Sequence, residues 1–375
     1  MNTSDLKERL REAALELGFD QAGFAPAAEP PNAKAYLAWL ERGWHGEMSY
    51  MAREDAVRRR LAPAEALPGC RTIIVVSLGY AAADGESARE SSDAEISRYA
   101  RGRDYHGIFE ERLAALSAVL AEAAPGERTL PYVDYGPVLE RDHAQRAGLG
   151  WIGKNTMLID PRLGSYLLLG ELLTTLDLPP DEPFTADHCG TCVRCIEACP
   201  TGAIRLSRGL DARLCISYLT IELRGPIPLD LRPLIGNRVF GCDICQEVCP
   251  WNREVPEGRE PELRSDAAGA QAVAGRPVPP ATMAAWATEL LELSDGEFRH
   301  RYRGTALLRP GREGLLRNLC VGLGNSGRAD AIPVLERCLA AGSELVRDHA
   351  CWALERVANA TERIGGRPCR RTRRA

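Results

Sequence analysis

The chain has 375 residues, 45% apolar and 26% charged, with a formal net charge of −5 and thirteen cysteines. That length suggests two or three domains, and the composition argues against a disordered, collagenous or fibrous chain. No apolar run approaches the ~18–20 residues of a membrane-spanning helix. The opening Met1-Asn2-Thr3-Ser4-Asp5 lacks the basic flank and apolar core of a secretory signal. A reducing, cytoplasmic setting is therefore expected, with no membrane partner. Disulfides are rare there, so the cysteines need another use.

Residues 1–180 read as a mixed α/β domain. A helix is expected over 5–17, with Leu6, Leu10, Ala13, Ala14 and Leu17 on one face. Pro68-Gly69 punctuates the chain, and Ile73-Ile74-Val75-Val76 follows as a buried strand. Helix returns at 108–122, a short strand at 130–134, and an apolar segment at 166–173. Two polar constellations interrupt these elements. Residues 98–106 gather arginines, Asp104, Tyr105 and His106. Residues 132–137 place Asp134 at a strand end, where catalytic groups often project. An acid in that position is also a common turn-former. A GxGxxG match at 148–153 lacks the strand before it and the helix after it that a dinucleotide site needs, so it is set aside.

Eight of the thirteen cysteines lie between Cys189 and Cys249. The first four read Cys189-x2-Cys192-x2-Cys195-x3-Cys199-Pro200. This is the bacterial ferredoxin run, in which three thiolates hold one [4Fe–4S] cube and the fourth reaches a second. The other run, Cys242-x2-Cys245-x3-Cys249-Pro250, is one ligand short, because Val239 stands where a cysteine would complete it. Cys215 is the remaining cysteine of the region and takes the vacancy. Cluster one then has Cys189, Cys192, Cys195 and Cys249; cluster two has Cys199, Cys215, Cys242 and Cys245. Paired zinc knuckles are the alternative, but zinc explains neither the two Cys-Pro endings nor the x2-x2-x3 rhythm. The ferredoxin-like module spans 181–255, and a Pro/Gly/Ala-rich linker spans 256–280.

Residues 281–360 are helical and weakly repetitive. Arg317-Asn318-Leu319-Cys320 recurs thirty residues later as Arg347-Asp348-His349-Ala350, with a breaker at 324–327 and a helix at 331–339 between them. Ser343 suits the N-cap of the last helix. Such pairs suggest a HEAT-like unit or an ordinary helical hairpin. The tail, 361–375, carries six arginines and one glutamate, including Arg370, Arg371, Arg373 and Arg374. It suits phosphate backbones. A solvated tail is the alternative, since only Lys7, Lys34 and Lys154 among the 47 basic residues are lysine.

Taken together the chain resembles the epoxyqueuosine reductase family over nearly its full length. The resemblance rests on 99–106 (Tyr-Ala-Arg-Gly-Arg-Asp-Tyr-His), Val133-Asp134, 137–141 (Pro-Val-Leu-Glu-Arg) and 148–156 (Gly-Leu-Gly-Trp-Ile-Gly-Lys-Asn-Thr). It continues through Gly164-Ser165, both cysteine runs, Cys215 with 218–222 (Tyr-Leu-Thr-Ile-Glu), and Arg317-Asn318. Tyr135 and Tyr166 depart from it, where Thr and Trp are expected. The resemblance implies an α+β multidomain protein with three parts. These are a cobalamin-binding α/β domain akin to the nitroreductase-like fold of reductive dehalogenases, a ferredoxin-like two-cluster module and a C-terminal α-helical HEAT-like domain.

It further implies cobalamin with no protein histidine on cobalt. The sequence lacks Asp-x-His-x-x-Gly, and the nearest match, at Asp104-Tyr105-His106, has Phe109 in the glycine position. Implied cobalamin contacts are Arg58, Arg98, Asp134, Leu158, Gly170, Ser217, Cys242 and Asp243, with Tyr105 and His106 on the substrate side. The implied reaction reduces an epoxide on a tRNA wobble base to an alkene, with Asp134 as proton donor. A carboxyl protonated near neutral pH requires burial that raises its pKa. The partners would be the anticodon stem-loop, held partly by the tail arginines through phosphates, and an external electron donor to a monomer. Two other readings share the cysteines: a corrinoid reductase of a small molecule, and a ferredoxin-type module that only transfers electrons.

Overall fold

The computed structural model describes residues 2–81, 93–263 and 279–365, with the side chains of the last helix to residue 360. The chain divides into two compact units. One is formed by Met1–Ala83, Arg98–Cys215 and Asp243–Asp266; the other by Asp84–Ser97, Ile216–Cys242 and Ala267–Ala375. These units are not the consecutive segments read from the sequence. The stretch expected as a linker from 256 begins inside the first unit. There the Gly258 N–H donates to Ala81 O at 2.8 Å, and Leu263 is buried in the same apolar cluster as Tyr105 and Phe109.

The first unit is built on a sheet of β1 (Gln21–Pro26), β2 (Thr72–Gly79), β3 (Thr129–Tyr132) and β4 (Leu167–Thr174). Its order is β1-β2-β4-β3, and all neighbours are antiparallel. Every residue of β2 is buried, because the β-branched run 73–76 is covered on both faces. Ile74, Val76 and Leu78 pack with Leu6 and Leu10 of α1 (Thr3–Glu16) and with Phe109 and Leu113 of α2 (Tyr105–Ala123). Ile73 and Val75 pack with Ala144 of α3 (Glu140–Arg146) and with Ala147 just beyond it. The result is a helix–sheet–helix sandwich with two apolar layers.

Two boundaries differ from the sequence expectation, and both bear on the site. Helix α2 starts at Tyr105 rather than 108, because the Asp104 side chain caps it by accepting from the His106 N–H at 3.1 Å. Strand β3 stops at Tyr132 rather than 134. Asp134 has φ +53°, in the left-handed region where a side chain is strained.

The second unit holds α4 (Met283–Glu292), α5 (Asp295–Arg301), α6 (Gly311–Ser326), α7 (Ile332–Ala341) and α8 (Glu344–Gly365). Ser294 and Glu297 form a capping box at the start of α5. The breaker expected at 324–327 acts only at its last residue, since α6 runs through Ser326 and Gly327 ends it at φ +64°. Gly324 is instead a close-approach residue, where a Cβ would lie 2.8 Å from Ala353 Cα of α8. Ser343 Oγ accepts from the Val346 N–H at 3.5 Å, a long bond at the expected cap.

The Arg-Asn motif lies inside α6, and the Arg-Asp-His motif near the start of α8. They tie down the 216–242 segment of the same unit. Arg317, buried in the middle of α6, donates from Nη1 to Leu223 O and Gly225 O, each at 2.8 Å, and from Nη2 to Leu219 O at 2.7 Å. Asn318 Nδ2 donates to Thr220 O and Val239 O, both at 2.8 Å. On α8, His349 Nε2 accepts from the Ile227 N–H at 3.1 Å, and Asp348 accepts from Arg232 Nη2 at 2.5 Å. Replacing Arg317 by Ala removes three hydrogen bonds to buried or partly buried main-chain carbonyls, so Arg317→Ala is expected to lose on the order of 3 kcal/mol of stability. Arg317→Lys recovers only part of it, because one ammonium lacks the guanidinium fork. Denaturant unfolding followed by tryptophan fluorescence measures both.

Candidate active site

Cys189, Cys192, Cys195 and Cys249 line one cavity of about 220 Å³ in the first unit, together with Ile159, His188, Pro250 and Trp251. The Cys195 thiol is pushed up by burial first and then by its neighbours Cys189, Cys249 and Cys192. Four thiols crowded in this way repel one another as thiolates, and cationic iron relieves that repulsion. Among the described residues no group of three or more His, Cys, Asp or Glu is placed to hold a single ion. Thiols spread around a cavity suit a cube better than a lone zinc. The donor set therefore fits cluster one as read from the spacing.

The rejected GxGxxG segment leads directly into Lys154, Asn155 and Ile159, which line the cavity. Gly150 permits a tight hairpin between Trp151–Ile152 and Leu158–Ile159, where a Cβ would lie 2.2 Å from Ile159 O. The hairpin presents Trp151, buried against Phe184, His188 and Trp251 at ring-centroid distances of 5.6, 5.0 and 5.0 Å. Lys154 Nζ donates to Gly190 O at 2.7 Å and to Cys192 O at 3.0 Å, clamping the first cysteine loop. Asn155 Nδ2 donates to Cys245 O at 3.3 Å in the second. Sequence reasoning assigned Lys154 and Asn155 no role, because their partners lie 36 to 90 residues away. Of the second set, Cys199, Cys215 and Cys245 belong to the first unit and Cys242 ends the second.

The other polar centre forms where α2, α3 and the ends of β3 and β4 meet in the first unit. The Tyr135 N–H donates to Val133 O, closing a three-residue turn on Asp134. A Cβ on Gly136 would lie 2.4 Å from the Tyr132 ring, so only glycine follows that turn. Tyr105 and His106, set in the first turn of α2 by the Asp104 cap, face Asp134. Tyr105 OH donates to Asp134 Oδ2 at 2.9 Å, and His106 Nε2 lies 3.9 Å from the same oxygen. His106 Nδ1 lies 2.6 Å from Asp104 Oδ1, which orients the ring. The His106 ring stacks on Tyr105 at 4.2 Å and on Tyr135 at 5.8 Å, and Tyr135 is 58% exposed.

The burial expected at Asp134 lies elsewhere. Its side chain is 49% exposed. The dehydrated acids are Glu140 at the start of α3 and Glu171 on β4. Glu140 Oε1 accepts from the Asp134 N–H at 2.8 Å. It is pushed up to about 7, by loss of water first and by the Asp134 charge second. Glu171 is 0% exposed, pairs across the sheet with Tyr132, and has no hydrogen-bond partner for either carboxyl oxygen among the described residues. Burial raises it well above the ordinary carboxyl range, with Glu140 and Asp134 adding to the shift. His143, one turn along α3, offers no positive charge, since burial pushes it down to about 3. An acid inside the apolar run Leu167–Thr174 was visible in the sequence and was passed over.

Residues 60–135 match the family model described as Epoxyqueuosine reductase QueG, DUF1730, and residues 188–252 match a 4Fe-4S double cluster binding domain. An epoxyqueuosine reductase of Pseudomonas aeruginosa is 44% identical over 94% of this chain and 94% of its own. This chain belongs to the epoxyqueuosine reductase family. A solved epoxyqueuosine reductase with an epoxyqueuosine-modified tRNA-Tyr stem loop superposes with a TM-score of 0.82 at 30% identity, over 98% of this chain and 96% of that one. The Bacillus subtilis epoxyqueuosine reductase, solved with its catalytic loop swung out of the active site, gives 0.81 at 31% identity, over 96% and 94%.

The remaining residues expected from the epoxyqueuosine reductase resemblance are placed unevenly. Arg98 and Asp243 come together: the Arg98 N–H donates to Asp243 Oδ2 at 2.7 Å. The Arg98 guanidinium lies 4.9 Å from the Tyr166 ring, so this departure from the family pattern supports an expected contact. Arg58 is exposed and paired with Glu54 at 3.1 Å. The Leu158 side chain is in the core, and a Cβ on Gly170 would lie 2.5 Å from Phe109. Both therefore have only main chain to offer a ligand. Gly170 sits one residue past the last β3 pairing, next to Glu171. Arg98, Asp134 and Asp243 present polar groups that suit the amide-bearing rim of a corrin, so the first-unit residues fit cobalamin. Ser217 and Cys242 lie in the second unit, and Arg370, Arg371, Arg373 and Arg374 lie outside the described residues.

Replacing Cys249 by Ser removes one of the four thiols that line the 220 Å³ cavity. Anaerobically reconstituted Cys249→Ser is expected to hold about half the iron of the parent chain, as one of two cubes is lost. Cys70→Ser, at a buried thiol outside both runs, should leave iron content unchanged.

Proposed function

We propose that this chain reduces epoxyqueuosine to queuosine at the wobble position of tRNA, with Asp134 delivering the proton. The observation that carries the assignment is the Asp134 turn, whose carboxyl is aimed and held by Tyr105 beside an exposed aromatic stack. Family membership supplies the substrate, and it sets aside both the small-molecule corrinoid reductase and the module that only carries electrons.

Cluster one is held by Cys189, Cys192, Cys195 and Cys249, and cluster two by Cys199, Cys215, Cys242 and Cys245. Cobalamin would be held by Arg58, Arg98, Asp134, Leu158, Gly170, Ser217, Cys242 and Asp243. When bound, these groups supply two electrons, taken one at a time from an external donor. The chain's own residues manage the oxygen and the base. Tyr105 OH occupies Asp134 Oδ2 at 2.9 Å, which leaves Oδ1 to present the proton. The strained turn keeps that carboxyl pointed outward, where an incoming base displaces water from it. Tyr105, His106 and Tyr135 offer stacked ring faces beside it, the surface an unstacked loop base seeks.

The sheet unit is read as the nitroreductase-like cobalamin domain and the helices of the second unit as HEAT-like. The arginines at 370, 371, 373 and 374 are read as phosphate contacts to the anticodon stem-loop. The described residues include no helix long and apolar enough to cross a membrane. We place the protein in the cytoplasm as a monomer.

Two measurements test this reading. Incubated with tRNA carrying epoxyqueuosine and a strong reductant, the enzyme should yield a nucleoside lighter by one oxygen. Asp134→Asn should cut that rate by roughly 10²-fold or more, the usual worth of a general acid, while iron and corrinoid contents stay at parent levels. Near-parental turnover in that variant sinks the Asp134 assignment. Separately, Cys215→Ser is expected to lose the iron of one cube, and unchanged iron would remove Cys215 from cluster two.

A further inference from the structure

Converting an epoxide to an alkene takes two electrons and two protons. Both carbon–oxygen bonds break, a carbon–carbon π bond forms, and the oxygen leaves as water. Asp134 holds one proton at a time. A base seated over the Tyr105, His106 and Tyr135 rings would cover its exposed face, so a second proton has to come from behind.

Two carboxyls stand there, Glu140 and Glu171. Glu140 touches the Asp134 main chain at 2.8 Å. Glu171 projects from β4 opposite Tyr132, fully buried, with both oxygens unpartnered among the described residues. Neither acid has an ion-pair partner in the described residues. The titratable and charged groups around them are few: Asp134 in the turn, Tyr105 and His106 from α2, and Arg141 and the neutral His143 from α3. A charge on Glu140 raises Glu171, so ionising one acid opposes ionising the other.

We propose that Glu140 and Glu171 store the second proton of the reaction and return it to Asp134 after its first transfer. The proposal rests on the reading of the reaction given above. Asp134 protonates the oxygen as the first carbon–oxygen bond breaks and becomes a carboxylate. Glu140 then passes its proton to that carboxylate, and Glu171 keeps the charge left behind from spreading to a third site. Asp134 delivers again as the second carbon–oxygen bond breaks and water departs. Both electrons come from the external one-electron donor of that reading, and Asp134 and Glu140 each take up one proton from water once product leaves. Glu140 and Glu171 are thus positioning residues that act through Asp134. The high carboxyl ranges of both acids agree with this role.

The test is an infrared pH titration of the reconstituted holoenzyme, paired with single turnover on epoxyqueuosine tRNA. Glu140→Gln is the informative variant, because its amide oxygen still accepts from the Asp134 N–H while its proton store is gone. The parent chain should show a protonated-carboxyl band that disappears with a midpoint of about 7, and a turnover rate that falls over the same range. Glu140→Gln should abolish that band and slow single turnover roughly 10–100-fold, with the alkaline fall shifted and iron content unchanged. A Glu140→Gln chain with the parental rate and pH profile overturns the proposal, as does a parent chain with no carboxyl titrating between about 6 and 8. If the parent chain itself leaves epoxyqueuosine unreduced, the reading of the reaction fails first and the proton role falls with it, whatever the infrared titration shows.

Discussion

The hydrogen bond from the Asp134 N–H to Glu140 Oε1 is the constraint on which the reactive end of the first unit depends. It joins the turn after β3 to the first residue of α3, and so to the sheet face that α3 covers. Without it, a non-glycine residue at φ +53° has little reason to stay there. With it, the Asp134 carboxyl is free to point toward Tyr105 and His106. The sheet supplies the rigidity, since β4 runs between β2 and β3 and carries Glu171 at the β3 end. Main-chain strain and acid burial thus concentrate at one corner of an otherwise apolar sandwich, as is common where chemistry is done.

The cluster region of the same unit follows a different logic. Cysteine runs are local, and each short helical turn, at Arg194–Glu197 and Ile244–Glu247, only has to aim neighbouring thiols. What makes two separate runs into one module is a third segment, the Trp151–Ile159 hairpin region. Its Lys154 and Asn155 bond main-chain carbonyls in both runs, and its Trp151 packs at 5.0 Å against Trp251, which lines the cavity. A lysine clamped on carbonyls beside anionic clusters also places positive charge where iron–sulfur reduction adds negative charge.

Much of this was legible in the sequence wherever the signal was local. The ferredoxin spacing needs only twelve residues of context, and the buried β2 declares itself through four β-branched residues in a row. Helix α1 follows from its apolar period. What escaped was either a cap or a long-range partner. Asp104 looked like part of a polar cluster, yet its first effect is to start α2 three residues early and so to set Tyr105 and His106. The Arg317-Asn318 motif looked like one half of a helical repeat, although its donors reach carbonyls some 80 to 100 residues away. Glu171 was hidden by its company, because periodicity averages one acid into the apolar strand around it. The expectation that Asp134 itself would be buried failed for a related reason. Sequence pattern assigns a role to a residue, whereas burial depends on which neighbours fold over it.

The cost of this arrangement has a definite sign. The unfolded chain releases the Glu140 proton near the ordinary value of 4.5, whereas the folded chain holds it to about 7. The stabilising contribution of the neutral form is therefore complete below about 4.5 and is lost as pH rises through about 7. Glu171, raised further, extends the loss toward higher pH. A fold selected only for stability at neutral pH would replace both acids with apolar side chains of similar volume. Their presence under a strained turn, beside the one carboxyl aimed outward, makes sense only if the proton they retain is worth more to the reaction than its burial costs the fold.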